Sequence, residues 1–261
     1  MEKKTSCIII GAAPGMSLAW LDRALIARSE IIAADGGYQT AQRAGLTVDF
    51  WVGDADSAGD VPDAPGLFCE RLPCEKDFGD VHTAVERALA RGMREIVLVG
   101  CSGGRLDHFL ADVALLERIE RAGAHGELRD AQNRLFFLAP GRHIVPRDAA
   151  FSYLSLLALD ETLTGVTLSG VKYPLAGATL RREMPIGISN EWTADEAEIV
   201  ISSGRALCVL SRDLRGILDK DRGSFHEKPK QSWALCRGDL ACERACGRRG
   251  GDSFCAFRRD F

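Results

Sequence analysis

Short apolar runs alternate with amphipathic segments through the first half of the chain, and the clearest of them stop at a glycine or an acidic residue. Residues 7–10, 30–34, 49–52 and 95–99 are the clearest, closed by Gly11, by Asp35-Gly36-Gly37, by Gly53 and by Gly100. Runs this short and this apolar suit strands buried on both faces of a parallel sheet, with crossover helices between them. Residues 67–72 and 135–138 extend the set. The spacing predicts a helix presenting Leu18, Leu21 and Leu25, a short one running to Gly45, and a strong one from about Asp80. In that third helix Val81, Ala84, Val85, Ala88 and Leu89 share a face, and Gly92 suits the stop. A fourth presents Phe109, Val113 and Leu116.

From Phe151 the texture changes. Segments 151–159, 165–168, 199–202 and 206–211 are short, apolar or β-branched, and parted by Gly, Asp and Pro, which reads as an antiparallel β module. The expected fold class is thus α/β: an N-terminal, mostly parallel, three-layer α/β catalytic domain over 1–140, then a smaller antiparallel β-sandwich over 141–213. The tail, 214–261, holds 11 Lys/Arg against 7 Asp/Glu and four of the nine cysteines, in a chain whose net charge is −4. This Cys/Arg-rich tail is expected to be flexible, and its C-x5-C-x3-C-x8-C spacing matches no common zinc site.

With 46% hydrophobic and 27% charged residues the 261-residue chain has a globular composition. No run nears the ~20 apolar residues of a membrane span, and 7–10 is too short for a signal-peptide core. Cys7, Cys101 and Cys208 fall singly in apolar runs, as reduced packed thiols do. A soluble, cytoplasmic protein is expected, without membrane partners, and the weakly acidic balance argues against a nucleic-acid partner.

Four acidic clusters follow predicted strands: Asp35, Asp54 with Asp56, Asp77 with Asp80, and Asp107. In an open parallel sheet the carboxyl ends of the strands share one edge, where ligands bind. Carboxylates gathered there repel one another unless a cation intervenes, and an oxygen-only donor set favours Mg²⁺ bridging to phosphates. Taken singly, Asp80 reads equally well as a helix N-cap and Asp35 as part of a tight turn. Their joint placement favours a site. Gly11–Gly15, Gly36-Gly37 and Gly103-Gly104 would let backbone N–H groups approach a polyphosphate, with Lys76 and Arg105 as clamps. Neither a Walker A pattern nor Gly-x-Gly-x-x-Gly is present. His82 and His108 are further candidates for proton transfer or ligation. In the β module, Ser189-Asn190-Glu191-Trp192 offers hydrogen bonds and an aromatic face to a polar heterocycle.

Five motifs in order carry a resemblance: Ala34-Asp-Gly-Gly37, Gly53-Asp-Ala-Asp-Ser57, Lys76-Asp-Phe-Gly-Asp80, Gly103-Gly-Arg-Leu-Asp-His108 and Gly187-Ile-Ser-Asn-Glu191. Over residues 5–213 the chain resembles the thiamine pyrophosphokinases. The resemblance implies a homodimer that transfers a pyrophosphoryl group from ATP to the hydroxyl of thiamine, giving thiamine diphosphate and AMP, with Mg²⁺. It implies metal ligation by Asp54, Asp56 and Asp80, supported by Asp77. ATP would be bound by Asp35, Gly36, Gly37, Lys76, Gly103, Gly104 and Arg105, and thiamine by Asp107, Ser189, Asn190 and Trp192. Asp35 would order the glycine loop and metal-bound waters. Two positions depart from the family pattern: Ala55, usually Phe, and Gly79, usually Thr, which loses a capping hydroxyl. Two other readings stand beside this one. An Asp-x-Asp glycosyltransferase using a nucleotide sugar explains Asp54 and Asp56 but leaves the other loops without a role. A non-catalytic nucleotide or thiamine diphosphate-binding module explains the glycines but not so many acids.

Overall fold

The computed structural model describes residues 4–54, 64–73 and 77–213. The chain order is β1 (Ser6–Ile10), α1 (Arg23–Arg28), β2 (Ser29–Ala34), α2 (Gly37–Arg43), β3 (Phe50–Gly53), β4 (Phe68–Arg71), α3 (Asp80–Ala90), β5 (Glu95–Val99) and α4 (Leu106–Arg121). It continues with β6 (His125–Arg129), β7 (Asn133–Leu138), β8 (Gly141–Pro146), β9 (Tyr153–Ala158), β10 (Thr162–Ser169), β11 (Leu175–Arg181), β12 (Asn190–Glu191), β13 (Glu196–Ile201) and β14 (Ala206–Ser211).

Ten strands form one sheet in the order β12-β9-β14-β7-β6-β5-β1-β2-β3-β4. From β6 to β4 it is parallel, and from β6 to β12 every neighbour is antiparallel. The parallel half is covered on both faces. Cys7 and Ile9 face α3 and α4, while Ile8 and Ile10 face Leu18, Leu21 and Leu25. All three isoleucines are fully buried, each contributing about 2 kcal/mol of hydrophobic stabilisation.

The four remaining strands, β11-β10-β13-β8, form an antiparallel sheet packed on the antiparallel half of the first. This is the expected α/β layer followed by a β-sandwich, but the two share strands. On β7, Leu135 and Phe137 enter the helix-covered core, whereas Phe136 and Leu138 enter the sandwich core. On β14, Leu207 faces the helices and Ala206, Cys208 and Leu210 face the sandwich. The alternation of a strand is here used twice. The division expected between residues 140 and 141 falls in the turn between β7 and β8, and side chains from both sides of it enter the sandwich core.

The helices depart from expectation at their starts. Leu18, Leu21 and Leu25 are all buried, yet α1 begins only at Arg23, where Asp22 caps it by accepting from the Ala24 N–H at 3.0 Å. Leu18 and Leu21 sit on a single turn closed by one hydrogen bond of 3.0 Å. In α3 the N-cap is Gly79, with no side-chain hydrogen bond, and Asp80 is the first helical residue rather than the cap. Its carboxylate lies beside those of Asp35 and Asp54. The helix ends as Gly92 predicts: Gly92 N–H donates to Leu89 at 2.9 Å and Met93 N–H to Ala88 at 3.0 Å.

Candidate active site

The loop after β2 is built around Asp35, which adopts φ +44°, an uncommon value for a residue with a side chain. Its N–H donates to Val52 O at 2.8 Å, and its carbonyl accepts from Trp51 Nε1 at 3.0 Å, so β3 holds the bend from below. Two glycines permit this approach. A Cβ on Gly53 would lie 2.9 Å from Asp35 Cα, and one on Gly37 would lie 1.8 Å from Ile10 O. Any side chain at either position would drive the loop off the sheet edge.

Asp35 is thereby buried at 6% exposure, and its Oδ1 has no hydrogen-bond partner. Half-buried Asp54, at the end of β3, and Asp80, at the start of α3, bring carboxylate oxygens to within 4.8 Å of it and of each other. Ionised, each pair at that distance repels by about 3–4 kcal/mol at an effective dielectric constant near 20. The donor set is all carboxylate oxygen, one of them buried and unpartnered. That combination fits a hard divalent cation. The N-terminus of α3 also favours the negative charge of Asp80.

The other expected site residues divide. Asp56 and Lys76 lie outside the described residues. Asp77 is exposed and does not belong to the carboxylate trio. Asp107, in the first turn of α4, is also outside it: Arg105 donates to Asp107 through Nε at 3.1 Å and Nη2 at 2.5 Å. Its hydrogen bond from Arg105, with the His108 N–H and nearby charges adding to it, brings the Asp107 carboxyl down to about 2 despite some desolvation. Both side chains are exposed. Four acidic loops thus reach the same sheet edge, and among the described residues three carboxylates meet.

That edge also carries the reversal of strand order. β1 lies between β5 and β2, and the helices after β1 and β5 pack on opposite faces of the sheet. The loops part there, leaving a crevice of the kind that holds ligands in open α/β sheets. They touch at the bottom, where Gly11 N–H donates to Val99 O and Ala13 N–H to Gly100 O, both at 2.8 Å. A cavity of 780 Å³ opens above, lined by Gly103 and Gly104 and by residues that no sequence motif marked, among them Trp20, Ser102, Asp130 and Asn133. The signal for the last two was the Asp-Ala-Gln-Asn stretch, a turn closed by the Asp130 side chain, which accepts from the Gln132 and Asn133 N–H groups at 2.7 and 2.8 Å.

In the sandwich, the Ser189–Trp192 run is held by its own chain. Ser189 has φ +55° and donates its N–H to Ser155 Oγ at 2.9 Å. Asn190 is buried, and its amide clamps Tyr173, accepting from its N–H at 2.9 Å and donating to its carbonyl at 2.8 Å. Trp192 packs on the sandwich core with its Nε1 buried and unpartnered.

Fold and site together define an α/β protein with a carboxylate cluster and a ligand-sized crevice at the carboxyl ends of its parallel strands. Comparison with known proteins narrows this. Residues 21–125 match the thiamin pyrophosphokinase catalytic domain, and residues 142–208 match the thiamin pyrophosphokinase vitamin B1 binding domain. The chain is similar to the thiamine pyrophosphokinase of Bacillus subtilis strain 168, 29% identical over 188 residues, covering 70% of this chain and 87% of that one. The crystal structure of thiamin pyrophosphokinase from Geobacillus thermodenitrificans is 31% identical, with a TM-score of 0.70 over 80% of this chain and 98% of that one. The Bacillus subtilis crystal structure gives 26% identity and a TM-score of 0.71, covering 80% and 100%. The chain belongs to the thiamin pyrophosphokinase family.

Proposed function

We propose that this chain transfers the pyrophosphoryl group of ATP to the hydroxyl of thiamine, yielding thiamine diphosphate and AMP. Family membership supports the overall reaction, and the meeting of Asp35, Asp54 and Asp80 carries the mechanism. Phosphoryl transfer leaves little covalent work to a protein, so positioning and charge compensation dominate. The thiamine oxygen attacks the β-phosphorus in line, the bond from that phosphorus to the α,β-bridging oxygen breaks, AMP departs with the bridging oxygen, and the hydroxyl proton is lost.

Asp35, Asp54 and Asp80 would hold the divalent cation, Mg²⁺ in our reading, with Asp56 completing the set and Asp77 supporting it. Bound there, the ion would offset negative charge on the reacting phosphates. Lys76 and Arg105 would steady the phosphate oxygens, Arg105 leaving Asp107 to do so, while Gly36, Gly37, Gly103 and Gly104 present backbone without side chains. Asp107, freed from Arg105, would accept from the aminopyrimidine of thiamine. Ser189 and Trp192 would serve the vitamin from the sandwich of a second copy, making the working form a cytoplasmic homodimer. The Asn190 amide, engaged with Tyr173, acts in this reading by holding that loop.

The deciding assay incubates the purified full-length protein with thiamine, ATP and Mg²⁺ and resolves the products by chromatography. Equimolar AMP and thiamine diphosphate are expected, and their loss in Asp56→Asn with folding retained. Release of ADP, or AMP formed without thiamine, would overturn the proposal.

A further inference from the structure

The reaction takes a proton from the thiamine hydroxyl, and a carboxylate trio committed to a cation is not free to receive it. We infer that Asp112, on the buried face of α4, is the group that accepts this proton. The inference rests on the pyrophosphokinase reading and adds a catalytic residue to it.

Asp112 is out of character with its surroundings. Phe109, Val113, Leu116 and Ile119 form the stripe that α4 lays on the sheet, and half-buried Asp112 falls among them at helical spacing. The thiol of Cys101, two residues past the end of β5, lies within hydrogen-bonding reach of its carboxyl. Cys101 in turn packs against the loop after β1, where a Cβ on Gly11 would stand 3.2 Å from its Sγ. Asp112 thus reaches the carboxyl edge of the sheet where the β1 and β5 loops touch. Across the crevice, at the end of β2, is Asp35. β5 and β2 are two strand spacings apart, about 10 Å. That gap accommodates a reacting phosphorus, an oxygen attacking it from about 3 Å, and a hydrogen bond of about 3 Å from that oxygen to a base.

Neighbouring acids outside the trio are poor acceptors. Arg105 holds the Asp107 carboxyl down to about 2. Asp130 has both oxygens engaged, Oδ2 by Ser102 Oγ at 2.8 Å and Oδ1 by two backbone N–H groups and the Asn133 amide. Among the described residues no lysine or arginine pairs with Asp112; Cys101 from the β5 loop and His108 from its own helix are the groups that act on it. Desolvation leaves its carboxyl at about 6, mostly ionised at neutral pH yet more basic than an ordinary carboxylate, as a general base should be. As the thiamine oxygen bonds to the β-phosphorus, its O–H bond breaks and leaves the electron pair on oxygen. The proton passes to Asp112, and AMP departs with the bridging oxygen. His108, exposed and one turn earlier on α4, offers the proton a way out to solvent.

The test measures kcat and KM of the full-length enzyme from about pH 5 to 8, in the wild type and in Asp112→Asn. At pH 7 the variant is expected to lose at least ~100-fold in kcat, with KM for ATP and for thiamine within about twofold of the wild type. Wild-type kcat should rise about tenfold per pH unit up to about 6 and then level off, and in the variant that rise should vanish. The upward shift of melting temperature on adding Mg²⁺ should be equal in both proteins, which sets Asp112 apart from the trio. A folded variant whose kcat stays within about tenfold of the wild type, one that keeps the wild-type pH profile, or one that no longer responds to Mg²⁺ would overturn the assignment. Should Asp112→Asn fail to fold, Asp112→Ser decides on the same readings. Should the wild type make no thiamine diphosphate, the pyrophosphokinase reading and this assignment fall together; should it make the product at a rate indifferent to Asp112, the assignment falls alone.

Discussion

Asp35 keeps an unfavourable backbone angle and a buried, unpartnered oxygen beside two other acids, an arrangement that costs stability in the absence of a cation. Removing one charge should therefore stabilise the metal-free protein while disabling it. Asp54→Asn is expected to raise the metal-free melting temperature by about 2–4 °C per kcal/mol of repulsion relieved, to shrink the upward shift caused by Mg²⁺, and to lower turnover at least ~100-fold. Differential scanning calorimetry with and without Mg²⁺ checks the first two. Asp112 offers a second test. Desolvation raises its carboxyl to about 6, against the pull of Cys101 and His108. A raised acid favours folding when protonated, so its contribution is full below about pH 4 and is lost as pH rises through 6. Asp112→Asn should stabilise the protein at pH 7, on the order of 1–2 kcal/mol after allowing for its partial exposure, and leave it unchanged at pH 4. Glu127 has the opposite sign. Burial pushes its carboxyl up, but His125, Arg134 and Arg129 overcome this and bring it down to about 2. Its contribution is present above about pH 4.5 and is lost as pH falls toward 2, which urea titrations across that window would show.

Helix α3 starts on a bare glycine, and a Cβ at Gly79 would meet nothing within 4 Å. Gly79→Ser should supply the missing cap and add a few tenths of a kcal/mol, ~0.3–0.5, to stability in urea unfolding. This element was readable in advance because Val81, Ala84, Val85 and Ala88 keep one period and Gly92 closes it. The parallel strands were readable for a related reason, since β1 and β5 are buried on both faces and carry unbroken apolar runs. Elements β6, β8 and β11 escaped that reading. β6 turns Glu127 inward among arginines, which breaks its apolar run, while β8 and β11 are the edges of the smaller sheet and expose much of their length. For α1 the burial of Leu18 and Leu21 was legible but not their backbone, because a single turn can bury the same face as a helix. The site followed the same pattern. Asp35, Asp54 and Asp80 were all marked by motif and strand end, but the resemblance gave Asp35 only the ordering of the glycine loop and of metal-bound waters, whereas its φ of +44° and the grip of β3 set its carboxylate beside the other two. The engagement of Asn190 with Tyr173 depends on the pairing of segments 17 residues apart, joined also by the Val171–Trp192 bridge, which no local spacing encodes.

At the scale of the molecule, Arg205 joins the sandwich to the catalytic layer. From the turn before β14 it donates to Asp160 in the turn after β9 and to Glu117 on α4, the helix whose first turn bears Asp107. Shared strands bind the two layers more tightly still. A fragment ending at residue 140 would leave Leu135 and Phe137 without Leu207 from β14. It is expected to bind a hydrophobic dye and to show no cooperative melt, whereas the chain through residue 213 melts in one transition. A sharp, reversible melt of the fragment would contradict this. The double use of β7 and β14 also limits how relatives can recombine. A chimera spliced between β7 and β8 would join strands from different parents inside a single interior. Exchange between lineages should succeed only when both strands travel together, so the portable inheritance unit is the pair, not either half of the chain.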